Sequence, residues 1–237
     1  MTLSIIIPAY NEELYIGKTL ESIFKNPPDN LLEVIVINNA STDKTAEVAA
    51  LFPKVKVVTE SQKGLTKARQ RGLQSAQGDL IAYIDADTWV SKQWFATVNE
   101  EFNAHPNLVC LSGPYIYYDI PSWQSWWVKQ WWYVAEHAVK HVTHYLALGG
   151  NFVAKRKALL DIGGFDVNIE FYGEDTDIAR RLYSVGEVKF IGSLAVQSSG
   201  RRIMDEGLVK MGIKYAANFA AVALFKKPVT REYKDIR

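Results

Sequence analysis

Leu80-Ile81-Ala82-Tyr83-Ile84-Asp85-Ala86-Asp87 is the stretch on which the fold turns. Five apolar residues are too few for a helix and fit a buried strand, and the run stops at two carboxylates. Gly78, just upstream, ends a basic helical stretch from Leu65 to Ala76. The same alternation extends back to the start of the chain. Ile5-Ile6-Ile7 is a β-branched run closed by Pro8, Glu33-Val34-Ile35-Val36-Ile37 a second strand, and Val55-Lys56-Val57-Val58 a third. Between them, Ile16, Leu20, Ile23 and Phe24 recur at helical spacing until Pro27-Pro28, and Ser41-Thr42-Asp43 offers an N-cap for a helix reaching about Leu51. This βαβαβαβ order predicts an α/β fold with a mostly parallel sheet flanked by helices, binding ligands at the carboxyl ends of its strands.

Downstream the pattern loosens. Leu108 to Tyr118 reads as one strand or two, bent near Gly113-Pro114, and a long helix is expected from about Ser122 to Tyr145. The pair Gly149-Gly150, a helix around Arg156 to Asp161 and the loop Gly163-Gly164-Phe165-Asp166 follow. A further helix opens at Gly173-Glu174-Asp175, and a last one spans roughly Glu206 to Phe225. No repeat or linker divides residues 1–237, which read as a single domain.

Composition narrows the class. With 48% hydrophobic and 22% charged residues over 237 positions, the chain is neither disordered nor a coiled coil, and it needs no disulfide to fold. Lys and Arg number 27 against 26 Asp and Glu, so no global field favours nucleic acid. The single cysteine, Cys110, allows no intramolecular disulfide and fits a reducing compartment. Pro8 interrupts the opening before any signal-type apolar segment of roughly fifteen residues could form. Tyr215 to Phe225 is uncharged but about half of the roughly 20 residues a bilayer crossing requires. The expected location is cytoplasmic, with a place at the inner membrane face left open.

Two acidic clusters carry the candidate chemistry. In an extended stretch Asp85 and Asp87 point the same way, and two such charges are unfavourable without a cation. Oxygen donors suit Mg²⁺ or Mn²⁺, which keep coordination positions for phosphate oxygens. A solvated turn would also accommodate Asp-x-Asp, but the position at a parallel strand's carboxyl end favours a ligand site. In Gly173-Glu174-Asp175-Thr176-Asp177, Asp175 shares the i, i+3, i+4, i+7 stripe of Ile178, Ala179 and Leu182 and is expected to face inward. It reads either as a helix-capping carboxylate or as a base for a hydroxyl proton. Asp177 pairs by i, i+4 spacing with Arg181 and reads as structural.

Together these pieces resemble family-2 glycosyltransferases of the GT-A fold. The resemblance rests on Ser4-Ile5-Ile6-Ile7-Pro8-Ala9-Tyr10-Asn11-Glu12-Glu13, Asn38-Asn39-Ala40-Ser41-Thr42-Asp43-Lys44-Thr45, Gly64 through Gly72, Asp85-Ala86-Asp87, Gly149-Gly150-Asn151, and Gly163-Gly164-Phe165-Asp166 followed by Gly173-Glu174-Asp175. It runs from residue 4 to about residue 202. It implies metal-assisted, inverting transfer of a sugar from a nucleoside-diphosphate sugar to a hydroxyl of a carbohydrate or lipid-linked acceptor, in polysaccharide or glycolipid biosynthesis. The implied nucleotide-sugar set is Pro8, Ala9, Tyr10, Glu12, Asn39, Arg69, Asp85, Ala86, Asp87, Arg201 and Arg202, with a base pocket at Pro8-Ala9-Tyr10, Asn39 and Arg69. Asp85 and Asp87 fall on the metal-binding acids, Asp175 on the catalytic base with Glu174 beside it, and Gly149, Gly150 and Asn151 on the acceptor side. Residues 1–104 would then form the nucleotide-sugar half, 105–202 the acceptor and catalytic half, and 203–237 a terminal helix and basic tail.

Two departures stand out. The family usually carries Asp where this chain has Asn38 or Asn39, which bears on base preference because an amide also donates. Many members place a metal-binding His near the closing arginines; here Val196 precedes Gln197, Ser198 and Ser199, with Gln197 the substitute ligand. The competing readings are a degenerate, inactive binding subunit and a transferase acting on a polyprenyl phosphate, which would need no general base. A nucleotidyltransferase would need a Gly-rich phosphate loop after the first strand and a Rossmann oxidoreductase a G-x-G-x-x-G turn, and neither is present.

Five of the seven tryptophans fall between Trp123 and Trp132. Trp123, Trp127, Trp131, Val134, Ala138, Val142 and Tyr145 form one helical stripe, expected to be core. Trp126, Trp132 and Tyr133 lie off it and could line an acceptor groove, Trp126 first among them, or sit at a bilayer interface. His137, His141 and His144 have spacing that can hold Zn²⁺, though no fourth ligand is evident. Residues 226–237 hold five Lys and Arg against two Asp and Glu, and this basic cluster beside an apolar helix suits an anionic membrane surface as well as docking on the domain.

Overall fold

The computed structural model describes residues 1–138, 141, 143–169, 171–225 and 229–230. Its strands are β1 (Leu3–Ala9), β2 (Leu31–Asn39), β3 (Val55–Glu60), β4 (Leu80–Ile84), β5 (Thr88–Trp89), β6 (Leu108–Ser112), β7 (Tyr115–Tyr117), β8 (Asn151–Lys155), β9 (Glu187–Phe190) and β10 (Val196–Ser198). Helices α1 (Ile16–Lys25), α2 (Thr45–Ala50), α3 (Leu65–Ser75), α4 (Lys92–Ala104), α5 (Ser122–Ala138), α6 (Arg156–Asp161), α7 (Glu174–Tyr183), α8 (Arg201–Glu206) and α9 (Leu208–Phe225) separate or follow them.

Seven strands form one sheet in the order β3-β2-β1-β4-β8-β6-β9. β1 is parallel to β2 and β4, β2 to β3 and β6 to β9, whereas β8 is antiparallel to both β4 and β6. β1 and β4 are buried along their whole length because helices cover both faces. On one face Ile5, Ile7, Val34 and Val36 pack with Leu20 and Ile23 of α1 and with Trp94, Val98 and Phe102 of α4. On the other, Ile6, Ile35 and Tyr83 pack with Ala68 and Leu73 of α3, Leu159 of α6 and Ile178 and Leu182 of α7. Alternate residues of a strand serve opposite cores, which is why these strands are continuously apolar. A Cβ at Gly72 would lie 2.4 Å from Ile6, so only glycine lets α3 approach the sheet so closely.

A smaller sheet, β5-β10-β7, sets Ser198 opposite Thr88 and beside Tyr117. It closes over the carboxyl end of β4 and builds one wall of the site.

Three features differ from the sequence reading or add to it. α4 has no counterpart among the elements read from the sequence, although Ser91 caps it by accepting the Trp94 amide at 3.2 Å. The last helix runs from Leu208 to Phe225, close to its expected span, and a short unexpected helix, α8, precedes it across Gly207, whose φ of 84° is glycine's region. α5 is described from Ser122 to Ala138, and its tryptophan stripe is not core. Trp123, Trp127 and Trp131 are exposed, and the helix docks through buried Val128 and through Trp132, whose ring lies 5.8 Å from Phe190. Periodicity identifies a stripe but not which stripe meets a neighbour. Val142 and residues 226–228 and 231–237 of the basic tail lie outside the described residues. Among the described residues, no helix is long and apolar enough to cross a membrane.

Candidate active site

The site gathers where β1 and β4 end. Asp85, Ala86 and Asp87 form a turn rather than an extended run, closed by the Thr88 amide donating to the Asp85 carbonyl at 3.1 Å. Thr19 pins the turn by donating its hydroxyl to the Ala86 carbonyl at 2.7 Å, and Ala86 is buried. The two carboxylates therefore meet different surroundings. Asp85 is 37% exposed, with Arg69 at 3.5 Å and the Tyr115 hydroxyl donating to it at 3.3 Å. Asp87 is buried and ion-pairs with Arg201 at 3.0 Å. Its Oδ1 accepts longer bonds, 3.4 Å each, from the hydroxyls of Ser198 and Thr88. Burial pushes the Asp87 carboxyl up to about 7; Arg201 opposes the rise, while Asp85 and Glu12 add to it.

Glu12, 2% exposed, receives both Arg201 Nη atoms, at 2.6 and 3.0 Å. Its amide donates to the Thr45 hydroxyl at 2.7 Å, which fixes the loop after β1. Arg201, the first residue of α8, lies over the Tyr15 ring at 4.8 Å, and its two carboxylates hold its pKa above the usual guanidinium value despite burial. Arg202 turns instead to Glu206, at 3.2 Å, and to the face of Phe171.

A second acidic centre opens α7. Gly173 precedes it in the left-handed region, φ 85°, and Glu174 is buried against Arg69, whose Nη1 donates at 2.9 Å. Burial drives the Glu174 carboxyl up to about 8; the neighbouring Asp175 charge adds to the rise and Arg69 opposes it. Asp175 is half-buried, accepts the Thr176 amide at 2.7 Å, and is likewise raised by burial against that bond. Arg69 thus bridges the two centres, reaching Asp85 on one side and Glu174 on the other. Asp177 pairs with Arg180 and Arg181 at 3.0 and 2.7 Å, in keeping with a structural role.

Several candidates sit otherwise than expected. Arg69 is fully buried in this bridge rather than lining a base pocket. Asn39 donates to the carbonyls of Glu60 and Gln62 at 3.2 and 2.8 Å and accepts the Gly64 amide at 2.8 Å, so its amide is spent on the loop after β3. A carboxylate could not make the two donations, which gives a physical reason for Asn here. Gln197 is exposed, on the face of β10 opposite Ser198, and it is Ser198 that reaches Asp87; alternation along the strand turns Gln197 away. Asn151 is wholly buried, accepting from the Trp94 indole at 2.9 Å and donating to Gly113 and Leu194 carbonyls at 2.8 Å each, which is a core role rather than an acceptor contact. Gly149 and Gly150 are close-approach positions: added Cβ atoms would lie 2.5 Å from Arg69 and 1.9 Å from Asp85. Trp126 is on the exposed side of α5, its ring edge-on to Trp127.

Pro8 and Ala9 are buried in β1, and the half-buried Tyr10 beyond them carries Lys63 over its ring at 3.9 Å. Tyr115 is a site residue that sequence reading missed: besides bonding Asp85, its hydroxyl accepts the Gly150 amide at 2.9 Å. Only the pairing of distant strands brings it there. His137 bonds the Tyr133 carbonyl at 2.9 Å and His144 stacks on Tyr183, so these two turn to different partners. No group of three or more His, Cys, Asp or Glu is close enough to hold a metal among the described residues. Asp85 and Asp87 place two carboxylates at the β4 turn, Asp87 already paired with Arg201.

The mostly parallel central sheet flanked by helices is the fold of the GT-A glycosyltransferases that the chain resembles in structure. The model of glycosyl transferase family 2 matches residues 4–163, and the chain belongs to that family. Among solved structures it is similar to the mannosyltransferase PcManGT of Pyrobaculum calidifontis, in complex with GDP-Man and Mn²⁺ (TM-score 0.71, 22% identity, 98% of this chain and 65% of that one). It is also similar to residues 1–349 of S. aureus TarS (TM-score 0.67, 17% identity, 95% and 73%). In sequence it is 31% identical over 117 residues to the poly(ribitol-phosphate) beta-N-acetylglucosaminyltransferase TarS of Staphylococcus aureus, covering 47% of this chain and 20% of that protein. The minor teichoic acid biosynthesis protein GgaB of Bacillus subtilis is 35% identical over 115 residues, or 44% and 12%. The match thus spans a minor part of the length of these two sequence relatives.

Proposed function

We propose that the chain transfers a sugar from a nucleoside-diphosphate sugar to an acceptor hydroxyl with inversion. The observation that carries this reading is the connected set at the strand ends, running from Glu12 and Asp87 through Arg201, and from Asp85 through Arg69 to Glu174 and Asp175. Family membership supports sugar transfer, and the similarity to PcManGT, solved in complex with GDP-Man and Mn²⁺, supports a nucleotide-sugar donor and a divalent cation.

Asp85 and Asp87 would hold Mn²⁺ or Mg²⁺, which supplies positive charge to the diphosphate leaving group. Arg201 already lies within reach of Asp87 and adds a second positive group, so exchange of its carboxylate partners for phosphate would stabilise the departing anion. Asp175 takes the acceptor's proton: burial makes its carboxylate a stronger base than a solvated one. Glu174, held by Arg69, orients that end of α7. A single displacement needs one base and no covalent intermediate, which gives inversion. The acceptor is a carbohydrate or lipid-linked hydroxyl.

Thermal stability of wild type and Asp87→Ala, measured with UDP, GDP, dTDP, ADP and CDP with and without Mn²⁺, tests the donor site, since a ligand that binds only the folded state raises its stability. One nucleotide should stabilise wild type in a Mn²⁺-dependent way and leave Asp87→Ala unmoved. Silence with all five would refute the donor site. With the donor identified, Asp175→Asn should remove most of the transfer to a hydroxyl; retained rate would point to a phosphate acceptor, which needs no base.

A further inference from the structure

Among the described residues, the exposed side of α5 is an apolar surface that neither the core nor the site uses. Trp123, Trp126, Trp127 and Trp131 are 62, 53, 57 and 56% exposed, and Tyr133 and Val134 continue the surface. The helix is already anchored through Val128 and Trp132, so packing on the domain leaves these four indoles unaccounted for. Contiguous apolar surface of this kind marks a contact site.

Its charge says what kind. Lys129 is exposed among the tryptophans, whereas Glu136, the one acid of α5, is half-buried and turned toward Gly192. α9 has the same character: Val209, Ile213, Ala216, Ala217 and Ala220 are exposed at helical spacing, Lys210 is exposed, and no acid occurs from 208 to 225. Residues 226–237 then carry three more basic than acidic side chains. Tyr145, beyond α5, lies against Phe219 of α9 with ring centroids 6.5 Å apart, which links the two regions.

We propose that the tryptophan face of α5 docks on an anionic lipid bilayer. Indoles carry an apolar body and one polar N–H, which suits the headgroup level of a membrane. A helix lying in the interface needs an aromatic side, cationic neighbours and no acid facing the lipid, and α5 and α9 supply all three. A saccharide subsite is concave and rich in hydrogen-bonding groups, whereas this is the convex side of a helix. A second copy docked through this face would bring Lys129 against its own kind. Docking is separate from the reaction proposed above, so its test reads vesicles alone.

The full chain is mixed with sucrose-loaded phosphatidylcholine vesicles, with and without phosphatidylglycerol, at low and high salt, and the pelleted fraction and tryptophan emission are recorded. The protein should pellet with the anionic vesicles at low salt, with blue-shifted emission, and less so at high salt. The W123Q/W126Q/W127Q/W131Q variant should lose at least about tenfold in partitioning while keeping the wild-type circular dichroism. Should that variant unfold, Lys129→Glu must weaken binding to anionic vesicles with the indoles intact. Failure of wild type to pellet, or pelleting unaffected by both variants, overturns the proposal. So does a dimer seen by light scattering, or a raised KM for a soluble acceptor, that the tryptophan substitutions produce or abolish in the absence of vesicle binding.

Discussion

Replacing Arg69 with methionine strips Glu174 of its counter-charge while leaving it buried. The Arg69 side chain is 2% and that of Glu174 9% exposed, 2.9 Å apart, whereas Asp85 is 37% exposed and solvated enough to lose little. The cost therefore comes from Glu174, and breaking a buried pair from one side costs about 3–5 kcal/mol at a pH above 8, where Glu174 is ionised. At about 2–4 °C per kcal/mol for a chain of this size, Tm should fall by roughly 6–20 °C. Removing both charges removes most of that penalty, so R69M/E174Q should be more stable than R69M alone. The pH dependence has a definite sign. Burial raises Glu174 from 4.5 to about 8, so stability present below pH 4.5 is lost as pH rises through 8. Without Arg69 the carboxyl rises further, and the loss between pH 6 and 9 should steepen in R69M and vanish with Glu174→Gln. Urea unfolding of the four proteins at several pH values measures this. A loss under about 1 kcal/mol in R69M, or a double variant no better than the single one, would refute the view of Arg69 as the clamp between the two acidic centres.

Asn39→Asp should destabilise the protein by about 2–4 kcal/mol, because the Glu60 and Gln62 carbonyls lose their donors; an unchanged Tm would contradict the assignment. Asn151→Ala should cost about 3–5 kcal/mol by leaving the Trp94 indole and two carbonyls unpaired, and a mild effect in chemical denaturation would deny it a core role. Gly150→Ala should displace Asp85 and weaken nucleoside-diphosphate binding by at least about tenfold in calorimetry, with wild-type affinity the opposing result.

How much could be read from the chain alone follows from what is local. The runs 5–7, 33–37, 55–58 and 80–84 specify strands because their apolar residues are adjacent in sequence, and the helices between them carry their own periodicity and stops. The alternation alone therefore implied a mostly parallel α/β sheet, and the ordered motifs from Ser4 onward resembled the family to which the chain belongs. Asp85, Asp87, Glu174 and Asp175 were visible because each lies at the end of such an element. Their partners depend on contacts between segments far apart in sequence. Arg69 lies 105 residues from Glu174 and Arg201 lies 189 from Glu12, so no pattern in either segment reveals the pairing. The same holds for Gln197 and Ser198: one-residue alternation along a short strand decides which meets Asp87, and the register of β10 against β5 and β7 sets it. The sequence likewise announced that α5 is aromatic, but only its docking through Val128 and Trp132 determined that four tryptophans face outward, because a helix with apolar residues on several sides takes its orientation from the surface it packs against.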